Sequence, residues 1–241
     1  VSVIKCFLNM YRYRYGGAGR VNTFLSTFIV SVFLMLASTD ARAQDTVTIA
    51  ALGDSLTQGY GLVQEDGFTV QLQGWLDAAN QDVIILNAGV SGDTTAGGLA
   101  RVDWTLTPDV DAMIVALGGN DVLRGTDPAV ARANLDGILS VAAGKDIPVL
   151  LIGIDVPDNF GPDYKADFTA IYPDLAAKFD TLYVESFLRP LTDLGTMQEV
   201  LATYFQGDGI HPNAEGVGII VDSIGPKVAQ LAQEVRDQAA K

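Results

Sequence analysis

One histidine occurs in the chain, His211, within the run Asp208-Gly209-Ile210-His211-Pro212. Far upstream, Gly53-Asp54-Ser55-Leu56-Thr57 follows an apolar stretch. A serine hydroxyl is a poor nucleophile until a base takes its proton. Imidazole is the side chain that titrates near neutrality, so His211 is the base available to Ser55. The imidazole in turn needs a carboxylate to fix its tautomer and to balance the charge it acquires. Asp208 lies three residues before it on the same loop. Ser55, Asp208 and His211 together read as nucleophile, orienting acid and base. Taken singly, each has a plainer reading: Gly-Asp-Ser is a strand-to-helix turn with a capping side chain, and Pro212-Asn213 is a helix start. Asp54 is assigned structural support, because it immediately precedes Ser55 and its side chain should diverge from the hydroxyl.

Acyl transfer also places negative charge on the former carbonyl oxygen, and fixed donors must meet it. Backbone N–H groups at helix starts are natural donors. Ser55 occupies such a place, and so does Gly92 in Ser91-Gly92-Asp93-Thr94, where no side chain would obstruct an approaching oxygen. Asn120, in Gly118-Gly119-Asn120-Asp121, offers a neutral amide donor. Ser55, Gly92 and Asn120 are thus the expected oxyanion hole. Asp121 is expected to pin its loop by accepting backbone N–H bonds. The plainer reading of both glycine-rich segments is a tight turn.

These residues need a scaffold that brings them to one edge. Strands are expected at 46–52, 83–87, 112–117, 147–152 and 181–184, from runs of β-branched and aliphatic residues. Helices are expected at 67–79, 94–101, 128–143, 164–178, 195–203 and from Asn213 to about residue 238. Asp127 and Pro128 suit a helix start. Pro173 is an interior blemish, and Gly225-Pro226 is a place where the last helix could bend or break. The alternation predicts an α/β fold with a doubly wound, mainly parallel five-stranded sheet and helices on both faces. Ligands in such folds bind beyond the carboxyl ends of the strands. Ser55, Gly92 and Asn120 each follow a predicted strand.

Residues 1–43 differ from the rest. Arg12, Arg14 and Arg20 precede an apolar run from Phe24 to Ala37, and Ala41-Arg42-Ala43 fits a small-x-small cleavage site. This is the layout of an export signal; an uncleaved anchor or a misplaced start codon are the alternatives. The mature single domain is then 44–241, periplasmic or secreted, without a stable membrane span. The segment holds five bases and one acid, so of 15 bases and 29 acids the mature part keeps 10 and 28, a net charge of −18. Such a surface disfavours nucleic acid. Cys6, the one cysteine, leaves with the segment, so no thiol nucleophile remains.

The Gly53-Asp54-Ser55-Leu56 block, Gly92, Asn120 and Asp208-x-x-His211 resemble, in order, the SGNH hydrolases, also called the GDSL lipase/esterase family. The resemblance runs from about Thr46 to Leu231 and implies a flavodoxin-like fold, with the roles already given to these residues. Asn87 to Thr95, Gly118 to Gly125 and Ala170-Ile171-Tyr172-Pro173 are similar to the bacterial periplasmic subgroup that combines acyl-CoA thioesterase, lysophospholipase and arylesterase activities. In that subgroup the loop after strand four helps line the acyl site, which implies substrate contacts for Ile154, Pro157 and Phe160. Thr57-Gln58-Gly59 departs from the small residues usual after the nucleophile, and Gln71 and Gln73 make the first helix more polar than expected.

The expected substrate is a small ester, thioester or lysolipid, handled by a monomer. Each methylene changes binding by only about 0.8 kcal/mol, so broad acyl tolerance is the physical default. Phe187, Leu188 and Leu191 form a further apolar wall, part of the core or a surface patch. A carbohydrate or peptidoglycan-fragment O-deacetylase is the rival enzyme, and an inert lipid- or carbohydrate-binding protein the rival class. No cofactor and no metal are expected: the motifs gather no cluster of His, Asp and Glu ligands, and the glycine spacing is not that of a dinucleotide fold. If the export reading is right, intact mass of the exported protein will place its first residue at about Gln44; a mass retaining residues 1–43 would contradict it.

Overall fold

The computed structural model describes residues 46–241. The proposed export segment lies outside them. Apolar runs form five strands: β1 (Val47–Gly53), β2 (Val83–Gly89), β3 (Ala112–Ala116), β4 (Val149–Ile152) and β5 (Leu182–Val184). All pair in parallel, in the order β2-β1-β3-β4-β5. β3 and β4 are buried throughout, which is why they read as unbroken apolar runs. The register sets Gly53 opposite both Gly89 and Ala116. The segments leaving β1, β2 and β3 therefore depart from one level of the sheet.

Nine helices are formed among the described residues: α1 (Ser55–Gln58), α2 (Phe68–Ala78), α3 (Thr95–Thr105), α4 (Gly119–Leu123), α5 (Pro128–Ala143), α6 (Pro162–Phe179), α7 (Arg189–Thr192), α8 (Met197–Tyr204) and α9 (Ala214–Ala239). Apolar spacing decides which face each buries. Phe68, Leu72 and Leu76 of α2, with Val217, Ile220, Ile224, Val228 and Leu231 of α9, cover the side of β1 that carries Val47, Ile49 and Ala51. Val102 of α3, Leu135 and Ile138 of α5, and Phe168, Ile171 and Leu175 of α6 cover the side with Ala50 and Leu52. The β1–β2 connection thus lies on one face and the β2–β3 connection on the other. The chain reverses its winding between β1 and β3, and a crevice opens there beyond the strand ends.

Asp127 caps α5, accepting from the Ala129 N–H at 2.8 Å, with Pro128 in the first turn. Asn213 caps α9, accepting from Gly216 at 3.0 Å. Gly225-Pro226 does not break α9, which runs unbroken over the expected span. A mid-helix proline costs about 3 kcal/mol, whereas burying one Val, Leu or Ile gains about 1.5–3 kcal/mol. The five buried aliphatic residues of α9 named above therefore outweigh it. Pro226 is also exposed, so water can reach the carbonyl it leaves unpaired, and Pro173 of α6 is placed the same way. The short helices α1, α4 and α7 were not expected; four or five residues are too few to show a helical period.

The polarity of α2 has a structural reason. Gln73 donates to the Val83 carbonyl at 2.8 Å and accepts from the Ile85 N–H at 2.9 Å. Its amide takes the place of a neighbouring strand along the edge of β2, which blunts an edge otherwise open to pairing. Gln71 donates to the Asp66 and Ala214 carbonyls, joining α2 to the start of α9. Phe187 and Leu191 are core residues, 3% and 0% exposed, so the open question of an apolar substrate wall is settled against them. Among the described residues no helix is long and apolar enough to cross a membrane.

Candidate active site

The chain leaves β1 at Gly53 and turns at once into α1. Asp54 caps that turn by accepting from the Leu56 N–H at 3.0 Å. Ser55 is the first helical residue and is largely buried. Its own carbonyl accepts from Gly59 and Tyr60, both at 3.0 Å, which closes the turn.

The histidine loop lies between α8 and α9. Asp208 Oδ1 accepts from the N–H groups of Ile210 and His211, at 2.9 and 3.0 Å, so the carboxylate folds its own loop. Asp208 Oδ2 lies 2.7 Å from His211 Nδ1. These bonds, the backbone pair foremost, hold the Asp208 carboxyl down to about 2. It is ionised at neutral pH and can only accept, so Nδ1 carries the proton and Nε2 presents its lone pair. Nε2 lies 2.9 Å from Ser55 Oγ. The Tyr60 ring covers one side of the imidazole, with centroids 4.6 Å apart.

Asn120 stands in the first turn of α4 and donates through Nδ2 to Asp54 Oδ2 at 3.4 Å. The N–H groups of Ser55 and Gly92 donate to no acceptor among the described residues. Gly92 has φ +80°, a conformation a side chain would strain. Its carbonyl accepts from Arg124 Nη2 at 2.8 Å, which ties its turn to the end of α4. Asp121, 1% exposed, accepts from the Thr95 N–H at 2.8 Å and from Thr95 Oγ1 at 2.6 Å. It therefore joins α4, which bears Asn120, to the start of α3 just after Gly92.

Asp54 and Asp208 sit in opposite environments. Asp54 is 5% exposed, and burial pushes its carboxyl up to about 6. The Leu56 N–H, the nearby His211 and the Asn120 amide act against burial but do not cancel it.

The loop after β4 flanks α4. Ile154 Cδ1 comes within 3.5 Å of where a side chain at Gly118 would begin, and the Phe160 ring within 3.1 Å of the same point at Gly125. Phe160 also stacks on Tyr164 at 4.9 Å. Pro157 is exposed at the start of a 3-10 turn, and no hydrogen bond draws it to the site. The fold thus joins Asp208, His211 and Ser55 in one hydrogen-bonded line and Asp54 with Asn120 in another, and sets Ile154 and Phe160 beside the segment that carries Asn120. Among the described residues no three His, Cys, Asp or Glu side chains form a metal-ligand cluster.

Sequence reasoning missed Arg101. Its guanidinium donates to Asp93 at 2.8 Å, to the Ala88 carbonyl at 2.7 Å and to the Gly53 carbonyl at 2.9 Å. One side chain fastens the ends of β1 and β2 and the turn after Gly92. Asp93 at the helix start and Arg101 two turns on is a local pattern that could have suggested the ion pair; the two carbonyl partners leave no trace in sequence.

A hydroxyl aimed at a correctly tautomerised imidazole, beside unpaired N–H donors at one sheet edge, is equipment for acyl transfer. The chain belongs to the GDSL-like Lipase/Acylhydrolase family, whose model matches residues 51–219. Among its relatives, Esterase TesA of Pseudomonas aeruginosa is 36% identical over 199 residues, covering 82% of this chain and 94% of that protein. Thioesterase 1/protease 1/lysophospholipase L1 of Escherichia coli K12 is 35% identical over 203 residues, covering 83% and 91%. The crystal structure of AlinE4, a SGNH-hydrolase family esterase, superposes with a TM-score of 0.63 at 42% identity, over 77% of this chain and 96% of that one.

Asp54 gives a pH test. Its folded pKa lies above the ordinary 3.8, so its favourable contribution is complete below about 4 and is lost as pH rises through about 6. Asp54→Asn removes that titration. Denaturant unfolding at pH 4 and pH 7 is expected to show the variant gaining on the parent by up to about 3 kcal/mol between the two. An unchanged difference would contradict the assigned environment.

Proposed function

We propose that the protein is a serine esterase acting on carboxylic esters, and on thioesters of the same acyl groups, through an acyl-enzyme at Ser55. The observation that carries the reading is the continuous hydrogen-bonded line from Asp208 through His211 to Ser55, at 2.7 and 2.9 Å. Ser55 Oγ attacks the acyl carbonyl while His211 Nε2 takes its proton. Asp208 stays ionised and balances the imidazolium. The oxyanion is met by the Ser55 and Gly92 N–H groups and the Asn120 amide. His211 then gives the proton to the departing alkoxide or thiolate, and a water repeats the sequence to release the acid. Asp54 acts in support, holding the serine turn and the Asn120 amide, and Asp121 fixes the two donor segments to each other.

A fatty-acyl substrate is favoured over an acetylated sugar by the exposed apolar side chains on the loops of this edge. Tyr60 follows α1, Val90 follows β2, Leu123 ends α4, Phe160 follows β4, and Ile210 precedes His211. A polysaccharide site would instead be expected to carry hydrogen-bonding groups there. Arylesters, acyl-CoA thioesters and lysophospholipids are the proposed substrate classes, in line with the names its relatives carry. Residues 1–43 are read as an export signal, so the proposed place of action is the periplasm or the medium, as a monomer.

Ser55→Ala is expected to lower kcat for p-nitrophenyl butyrate by at least about 10⁴-fold with the circular dichroism spectrum unchanged. Asn120→Ala should lower kcat by about 10²–10³-fold through loss of one oxyanion donor. Near-parental turnover by Ser55→Ala would overturn the mechanism, and an unchanged Asn120→Ala would remove that amide from the oxyanion site.

A further inference from the structure

Gln206 lies just after α8, five residues before His211, on the strand-like turn that pairs Phe205 with Pro212. Its backbone N–H donates to the His211 carbonyl at 2.8 Å, and its carbonyl accepts from Gly209 at 2.9 Å. The backbone of Gln206 thus closes the histidine loop. Its side chain reaches beyond the loop as well. Nε2 donates to the Pro212 carbonyl at 3.0 Å and to the Tyr60 carbonyl at 2.9 Å. One amide group, with two N–H bonds, is therefore spent on two carbonyls from opposite parts of the chain. Tyr60 belongs to the serine turn, because its N–H closes that turn on the Ser55 carbonyl, and its ring packs on His211.

Apart from the contact between Ser55 and His211 themselves, this is the one hydrogen bond between the serine turn and the histidine loop among the described residues. The neighbouring backbone is shaped around it. Gly61 has φ +75°, and a Cβ there would lie 2.2 Å from Gln206 Oε1. A side chain at position 61 would collide with the amide that makes the link.

Resting on the reading of Ser55 and His211 as nucleophile and base, we propose that Gln206 is a positioning residue that straps the serine turn to the histidine loop and so sets the hydroxyl–imidazole distance. The Ser55–His211 hydrogen bond is a single directional contact between two separately folded loops, and the packing of the Tyr60 ring on His211 does not fix a hydrogen-bond distance. Without a second tie, each loop can shift while keeping its own internal bonds. Proton transfer needs heavy atoms within about 2.6–3.2 Å, so a small shift removes it. The Gln206 amide bonds only main-chain carbonyls, those of Tyr60 and Pro212, and offers no donor or acceptor to the Ser55 hydroxyl or the imidazole. Its loss should therefore fall on turnover and leave binding alone.

The test is steady-state kinetics of p-nitrophenyl butyrate hydrolysis by the parent, Gln206→Ala, Gln206→Glu, Gly61→Ala and the Gly61→Ala/Gln206→Ala double variant, with Ser55→Ala as control. Glu keeps the shape of Gln and removes both donors, so it separates hydrogen donation from packing. Gly61→Ala disturbs the strap from the opposite side and serves if a position 206 variant does not fold. The expected result for each single variant is kcat lowered by about 10–100-fold, with KM changed by no more than about twofold. The double variant should lose little more than the worse single one, since both act on one contact. Parental kcat in folded Gln206→Glu, a loss carried by KM, or losses that multiply in the double variant would each overturn the strap while Ser55→Ala stays inactive. An active Ser55→Ala would instead overturn the reading of the nucleophile, and the strap with it.

Discussion

The contact between Ser55 and His211 joins side chains 156 residues apart at 2.9 Å, and the proposed activation of the hydroxyl depends on it. A single hydrogen bond contributes only about 0.5–1.5 kcal/mol net. That is too little to draw together two loops whose closure costs more in chain entropy. The contact is therefore a result of the fold and not a cause of it. Parallel register levels the ends of β1, β2 and β3. The packing of α9 across β1 then fixes where the loop before it must lie. The hydrogen bonds of the site refine a placement that burial has already made.

Refinement is divided among side chains that bind backbone. Asp208 folds the histidine loop, Arg101 joins two strand ends, Asp121 joins two donor segments and Gln206 joins the serine turn to the histidine loop. The two carboxylates nearest the serine differ for a physical reason. Asp208 is partly open to water and accepts three hydrogen bonds, so its charge is easily held. Asp54 is buried behind the turn with fewer donors, so its charge is costly. Environment, with chemistry held constant, assigns one to the imidazole and the other to the scaffold.

Much of this was legible in the chain before any coordinates. Unbroken aliphatic runs marked β3 and β4, because strands buried on both faces have no polar side to show. Asp127 and Asn213 marked helix starts, because capping is local chemistry. The scarcity of histidine pointed to His211, since a base of that kind had nowhere else to be. What escaped was non-local or too short. α1 and α4 span less than two turns, so neither shows a helical period, and Asn120 read as a turn residue. Arg101, Gln73 and Gln206 act on backbone carbonyls of distant segments, and a carbonyl has no letter in the sequence. The fate of Gly225-Pro226 in α9 was left open, because the cost of the proline is local and visible whereas the burial that outweighs it is tertiary.

The central claim is that the imidazole of His211 makes the Ser55 hydroxyl, and no other, nucleophilic toward an acyl carbon or its tetrahedral mimic. Peptide mapping by mass spectrometry after treatment with a p-nitrophenyl alkylphosphonate tests it directly. One phosphonyl group on the peptide that holds Ser55, and none in His211→Ala under the same conditions, is the outcome this account requires. Label on another residue, or equal labelling of Ser55 without the imidazole, would contradict it.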